Sequence, residues 1–220
     1  MTARIFVFDA YGTLFDVHAA VRAHGAALGP DAGALSQTWR AKQLEYSWVR
    51  SLIGPETAGA RDFWALTGEA LDFAFAMHRT IDRKHRAALL DAYWHLAAYP
   101  KVTNFLERLK AAGHATAILS NGSRAMLDAA VRSAGLGDLL DAVLSVETLG
   151  TFKTAPETYR MVTRHFAVSA DAVSFQSSNR WDIAGAAAFG FATVWINRFA
   201  APDEYGDLPP GRVIADLSAL

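Results

Sequence analysis

The sequence predicts an α/β protein with a Rossmann-like core, built on a mostly parallel sheet, and an inserted helical cap. Three observations carry that expectation. A short β-branched and aromatic run, Arg4–Phe8, stops at Asp9. Residues 17 to 98 then read helical throughout. After Pro100, strands and helices alternate, which is the pattern of a parallel sheet covered on both faces.

The elements follow in order. Arg4–Phe8 reads as a buried strand, and Tyr11-Gly12-Thr13 breaks it. A lone strand ahead of a helical segment would leave an unpaired edge, so it must join the later sheet. Gly29-Pro30 and Gly54-Pro55 punctuate the helical stretch. Beyond Pro100, Asn104–Ala112 is a helix closed by Gly113, and Ala115–Leu119 a strand. Arg124–Ala134 is a helix closed by Gly135, Ala142–Val146 a strand, and Pro156–Phe166 a helix. Val173–Gln176 is a strand, and Ile183–Phe189 a helix ended by Gly190. Ala192–Ile196 and Val213–Ile214 are the last strands. The expected division is therefore a core from residues 1–15 and 99–220 with a cap from 16–98.

Composition narrows the function. With 220 residues, 52% apolar and 20% charged, there is ample material for a core and no case for disorder. The formal charge is −1, from 21 basic against 22 acidic residues, so no basic surplus exists to displace counterions from nucleic acid. The absence of cysteine removes disulfides, thiolate metal sites and thiol nucleophiles together. The longest nearly apolar stretch, Ile183–Ile196, is shorter than the roughly 18–20 residues that cross a bilayer. The apolar run ending at Asp9 is too short for a signal peptide. No membrane partner is expected, and the expected location is the cytoplasm.

In such sheets ligands bind beyond the carboxyl ends of the strands. The polar residues that follow each strand are Asp9 and Thr13, then Ser120 and Asn121, then Lys153, then Ser177, Asn179 and Asp182. Four strand ends thus deliver carboxylates, hydroxyls, amides and an ammonium to one rim. Taken singly, each residue has a plainer interpretation. Asp9 could serve a turn, Lys153 a solvated surface, Ser120-Asn121-Gly122 a tight turn, and Asp182 the cap of the helix after it. Arg40 could snorkel to solvent from an amphipathic helix. Their convergence is what singles them out.

The string Phe8-Asp9-Ala10-Tyr11-Gly12-Thr13-Leu14-Phe15-Asp16 resembles the first motif of the haloacid dehalogenase (HAD) superfamily, in which the opening aspartate is the nucleophile. Leu119-Ser120-Asn121-Gly122-Ser123, Lys153 and Ser177-Ser178-Asn179-Arg180-Trp181-Asp182 match the later motifs in order, so the resemblance spans the chain. Superfamily phosphatases carry a second aspartate two residues after the nucleophile and a late aspartate that binds Mg²⁺. Here those places hold Tyr11 and Ser178, and a hard cation needs carboxylate ligands, so neither metal nor organic cofactor is expected. Tyr11 and the Ser-Ser-Asn-x-Trp-Asp string look like the L-2-haloacid dehalogenases. Two departures stand out: Thr154 follows the lysine where relatives usually have proline, and residue 41 is alanine where some carry a polar side chain.

The resemblance implies hydrolytic dehalogenation of short L-2-haloalkanoic acids to D-2-hydroxy acids through an aspartyl ester on Asp9. An Asp9 oxygen displaces halide from behind, with Lys153 as counter-charge. Thr13, Ser177 and Tyr159 hold Asp9 and Lys153 in register. Halide cannot usefully be protonated as it leaves, so it needs a cationic cradle; the resemblance assigns it to Arg40 and Asn121. Ser120 and the backbone N–H groups of Ala10 and Tyr11 would hold the substrate carboxylate, while Leu44 and Trp181 line the alkyl pocket. Asp182, with Asn179, is the base for ester hydrolysis. The aromatic-rich cap predicts a homodimer. Two alternatives stay open at this stage: a Mg²⁺-dependent phosphatase of the same superfamily, and a non-catalytic protein that binds a small carboxylate.

Overall fold

The computed structural model describes residues 5–54, 56 and 61–220. The predicted strand start at Arg4, the Met1–Arg4 lead and Pro55 of the Gly54-Pro55 break lie outside the described residues. β1 (Ile5–Phe8) sits inside a six-stranded sheet with β2 (Ala115–Ser120), β3 (Ala142–Ser145), β4 (Val173–Ser177), β5 (Ala192–Ile196) and β6 (Arg212–Ile214). The order is β3-β2-β1-β4-β5-β6, and every neighbouring pair is parallel. The strand that begins at the first described residue is therefore flanked on both sides, as its Ile-Phe-Val-Phe composition requires: Val7 and Phe8 are wholly buried. Phe8 aligns with Ile118 of β2 and with Gln176 of β4. The three central strands accordingly end at one height, with Asp9, Ser120 and Ser177 along one rim.

Between β1 and β2 run α1 (Ala19–Ala23), α2 (Gly25–Leu28), α3 (Ala32–Ile53), α4 (Phe63–Met77) and α5 (Arg86–Trp94). α3 and α4 pack along each other, and α1 packs on α3 and α5. The buried stripe of α3 is Leu35, Trp39, Gln43 and Ser47, apolar for its first half and polar for its second. The chain leaves and re-enters this region side by side. Phe15 and Ala98 form an antiparallel bridge, Tyr99 N–H donates to the Leu14 carbonyl at 2.8 Å, and Asp16 N–H donates to the Ala97 carbonyl at 3.2 Å.

The sheet is covered by α6 (Val102–Ala111), α7 (Arg124–Ser133), α8 (Pro156–Phe166) and α9 (Arg180–Phe189). In α6 the buried residues Val102, Phe105, Leu106 and Leu109 recur at helical spacing and give one apolar stripe. Most predicted boundaries fall within two residues of those observed. The exception matters for the site. α9 begins at Arg180 and not at Ile183, which places Asp182 inside the first helical turn and not at the cap. The cap position belongs to Asn179, whose side chain makes no capping bond because it is directed into the rim. Lys153 follows its strand by way of a short turn. β3 ends at Ser145, and a 3₁₀ turn, Val146–Leu149, carries the chain back toward the rim. The Lys153–Thr154 peptide is cis.

Candidate active site

The centre of the rim is a buried ion triplet. Lys153 Nζ donates to Asp9 Oδ1 at 3.1 Å and to Asp182 Oδ2 at 2.8 Å. Lys153 and Asp182 have no exposure and Asp9 only 5%. Burying an ion costs several kcal/mol unless opposite charge and hydrogen bonds compensate it, and here one cation serves two anions. Burial alone would lower the Lys153 pKa, but Asp182 and then Asp9 outweigh it, and it lies above the ordinary lysine value. For Asp182 burial acts upward, Lys153 pulls back, and Asp9 adds repulsion; the result is a carboxyl pushed up to about 6. Its other oxygen, Oδ1, accepts from Tyr159 Oη at 2.8 Å. Burial, followed by the Asp182 charge, raises the Tyr159 phenol well above its usual value, so it remains a donor.

The two oxygens of Asp9 are not equivalent. Oδ2 accepts from Asn179 Nδ2 at 2.7 Å, Thr13 Oγ1 at 2.9 Å and, more distantly, Ser177 Oγ at 3.4 Å. The direction of the Thr13 bond is set, because Ser178 N–H donates into Thr13 Oγ1 at 2.8 Å and leaves the hydroxyl proton for Asp9. Oδ1 meets only Lys153 among the described residues, so it keeps a lone pair for a reacting atom. The backbone N–H groups of Ala10 and Tyr11 make no hydrogen bond to another described residue. They are free donors one and two residues past the carboxylate.

The remaining predicted residues surround this centre. Asn121 Oδ1 accepts from Lys153 N–H at 2.9 Å, which leaves its Nδ2 uncommitted. The Ser120 hydroxyl, at the end of β2, accepts from Gly122 N–H at 3.1 Å and keeps its own proton. Arg40 does not snorkel away: Nη2 donates to the Tyr11 carbonyl at 3.1 Å and Nη1 to Gln43 Oε1 at 2.7 Å. The Tyr11 ring is buried and stacked on Tyr93, 5.6 Å apart at 16°. Gly122 is glycine for a spatial reason, since an added Cβ would stand 2.6 Å from the Tyr11 ring. A cleft of about 280 Å³ opens beside Gly12, Arg40, Asn179 and Trp181. Leu44 is half-buried on α3. Trp48, one turn further on, meets Trp181 edge to face at 5.5 Å across the gap between α3 and α9.

Sequence reasoning missed Arg198. Its Nη1 donates to the Gly12 carbonyl at 3.1 Å and to Ser178 Oγ, and its Nη2 donates to the Thr13 carbonyl at 2.7 Å. Its guanidinium also lies 4.0 Å over the Tyr99 ring. It stands two residues past β5, so extending the strand-end rule by one strand would have found it. The same contact bears on a metal. Ser178, which the motif resemblance sets where a phosphatase would have a metal-binding carboxylate, has its hydroxyl bonded by the Arg198 guanidinium. Among the described residues no three His, Asp, Glu or Cys side chains cluster as metal ligands. This donor set does not fit a hard divalent ion. No helix among the described residues is long and apolar enough to cross a membrane.

Comparison with known proteins identifies the family. Over 220 residues, 99% of this chain and 94% of the relative, the chain is 48% identical to (S)-2-haloacid dehalogenase 1 of Pseudomonas sp. (strain CBS-3). It is 45% identical over 218 residues to (S)-2-haloacid dehalogenase 4A of Burkholderia cepacia, covering 99% and 93% of the two chains. Among solved structures, a dehalogenase superposes with a TM-score of 0.95 at 45% identity, covering 99% of this chain and 95% of that one. The L-2-haloacid dehalogenase of Xanthobacter autotrophicus with chloropropionic acid covalently bound superposes with a TM-score of 0.87 at 35% identity, covering 98% and 96%. The pattern of the haloacid dehalogenase-like hydrolases matches residues 3–190, and with these relatives it establishes that the chain belongs to that family.

Proposed function

We propose that the protein hydrolyses short (S)-2-haloalkanoic acids to (R)-2-hydroxy acids through an ester on Asp9. The observation that carries this is the asymmetry of the Asp9 carboxylate. Oδ2 is held by Asn179, Thr13 and Ser177, while Oδ1 touches only Lys153 among the described residues and is the oxygen left to attack. The covalently bound chloropropionic acid of the Xanthobacter enzyme supports the same step.

In the first half-reaction an Oδ1 lone pair forms a bond to the α-carbon as the carbon–halogen bond breaks and halide leaves with its electron pair. Attack from behind inverts the centre. The free N–H groups of Ala10 and Tyr11 and the Ser120 hydroxyl bind the substrate carboxylate, and Arg40 with Asn121 Nδ2 receives the halide. Leu44 and Trp181 line the alkyl pocket. In the second half-reaction water adds to the Asp9 side-chain carbonyl carbon, giving its proton to Asp182, and the hydroxy acid leaves carrying the former Asp9 oxygen and a proton. Asn179 holds the carbonyl, and Lys153 is the counter-charge throughout.

The paired crossing at Leu14–Asp16 and Ala97–Tyr99 supports dividing the chain into a core of 1–15 and 99–220 and a cap of 16–98 that covers this centre. A homodimer and a cytoplasmic location complete the proposal. Val49, Leu52 and Ile53, exposed on α3, support the former, and light scattering tests it.

The test is one round of reaction in ¹⁸O water with enzyme in excess over 2-chloropropionate. Label is expected in the Asp9 peptide and not in the lactate; label that enters lactate directly disproves the ester. Chloride release in EDTA, measured beside Mg²⁺-dependent hydrolysis of an aryl phosphate, separates this activity from phosphatase chemistry. Release of neither product indicates a binding protein.

A further inference from the structure

Gln43 lies within α3, three residues after Arg40, on the buried stripe where an apolar side chain would be expected. It is 1% exposed, yet all its polar atoms are engaged. Oε1 accepts from Arg40 Nη1 at 2.7 Å, and Nε2 donates to Thr67 Oγ1 at 2.6 Å and to Tyr93 Oη at 3.1 Å. An amide can face either way, so something must decide which end meets the guanidinium.

Thr67 decides it. Its hydroxyl proton is committed to the Phe63 carbonyl at 2.7 Å, so Oγ1 can only accept. A reversed Gln43 would press its carbonyl oxygen onto the Thr67 lone pairs and its NH₂ onto the Arg40 donor. Both contacts would be repulsive, and burial leaves bulk solvent no access to relieve them. The chain from Arg40 through Gln43 and Thr67 to the Phe63 carbonyl therefore runs in one direction. Tyr93 braces it from the side, and its ring stacks on Tyr11, whose carbonyl holds the other end of Arg40.

We propose that Gln43 is a positioning residue for halide: driven by Thr67, it presents a neutral oxygen to Arg40 and aims the guanidinium before substrate arrives. The proposal rests on Arg40 as the halide binder. Neutrality is the point, because a carboxylate there would hold the guanidinium equally well but cancel the charge that halide needs.

The test is competitive inhibition of 2-chloropropionate turnover by bromide, at constant ionic strength. Gln43→Glu is expected to raise the bromide inhibition constant at least about tenfold, with kcat lowered more than KM is raised. Thr67→Val, which alters no group touching Arg40, should shift bromide inhibition in the same direction, and Thr67→Ser should restore it. Unchanged bromide inhibition in Gln43→Glu, or in Thr67→Val if the former does not fold, overturns the proposal. Arg40→Lys run alongside separates the two layers. A shift in Arg40→Lys alone removes Gln43 but keeps the halide assignment, and no shift in either removes the assignment and the proposal together.

Discussion

Lys153 Nζ stands 2.8 Å from Asp182 Oδ2, and neither side chain has any exposure to solvent. The same ammonium is 3.1 Å from Asp9, so a single cation separates the attacking carboxylate from the hydrolytic one. Lys153→Met leaves two buried carboxylates facing each other. The expected outcome is no measurable halide release and a loss of about 3–5 kcal/mol in urea unfolding. Normal stability in the Lys153→Met variant would show that the triplet is not held together by this charge.

Asp182→Asn separates the half-reactions. The amide cannot take a proton from water, but Asp9 keeps Lys153 and its three Oδ2 donors. One equivalent of halide per site should appear as a burst, followed by a stall, with the Asp9 peptide heavier by the substrate less halide in mass spectra. Steady turnover at the wild-type rate would place the base elsewhere.

The pH dependence follows from the same residue. Asp182 accepts a proton only when ionised, and its carboxyl is pushed up to about 6. Protonation removes the base. The ester has lost the Asp9 charge that helps to raise Asp182, while Lys153 remains, so ester decay should be level above about 6 and slow only as pH falls below it. Ester decay after rapid mixing isolates this step. A flat rate from neutral pH down to the acid limit of folding would contradict the assignment.

Gly185 supports the centre from behind. A methyl group added there would collide with Tyr159 Oη and come within 2.9 Å of Thr154. Gly185→Ala should displace the phenol that donates to Asp182, lowering stability by about 1–3 kcal/mol. It should lower the rate of ester decay more than that of ester formation. Equal losses in both steps would mean the damage is not specific to Asp182.

Arg198 fixes the loop that carries the nucleophile, through the Gly12 and Thr13 carbonyls. Arg198→Met should cost about 1–3 kcal/mol of stability and reduce kcat, because Thr13 and the free N–H groups lose their anchor. Arg198→Lys, which keeps charge but not the forked geometry, should recover only part. Full activity in Arg198→Met would show that the loop holds itself.

Much of the centre was legible because strand ends are legible. β1 stops where its apolar run stops, β2 and β4 end on Ser120 and Ser177, and these serines share one rim with the polar residues that follow the three strands. What stayed hidden depends on tertiary pairing. Gln43, Thr67 and Tyr93 sit on three different helices, and nothing in any one helix signals the others. The start of α9 was misplaced because Arg180 and Trp181 do not continue its apolar period. Arg180 is nonetheless buried, held by Asp203 and by the Tyr205 and Leu208 carbonyls, all from a loop far along the chain. Lys153 was found, but the 3₁₀ turn between it and β3 was not, since such a turn leaves little trace in composition.

The placing of β1 between β2 and β4 has a consequence for biosynthesis. The strand leading into Asp9 is translated before both its neighbours, and the second of them begins only at Val173. At about 5–20 residues per second, a ribosome needs roughly 10–30 s to deliver that partner. Ile-Phe-Val-Phe has neither mate until Ala115–Ser120 is made, and only one from then until β4 appears. Nascent chains halted before Ser177 should therefore be the form most readily captured by holdase chaperones.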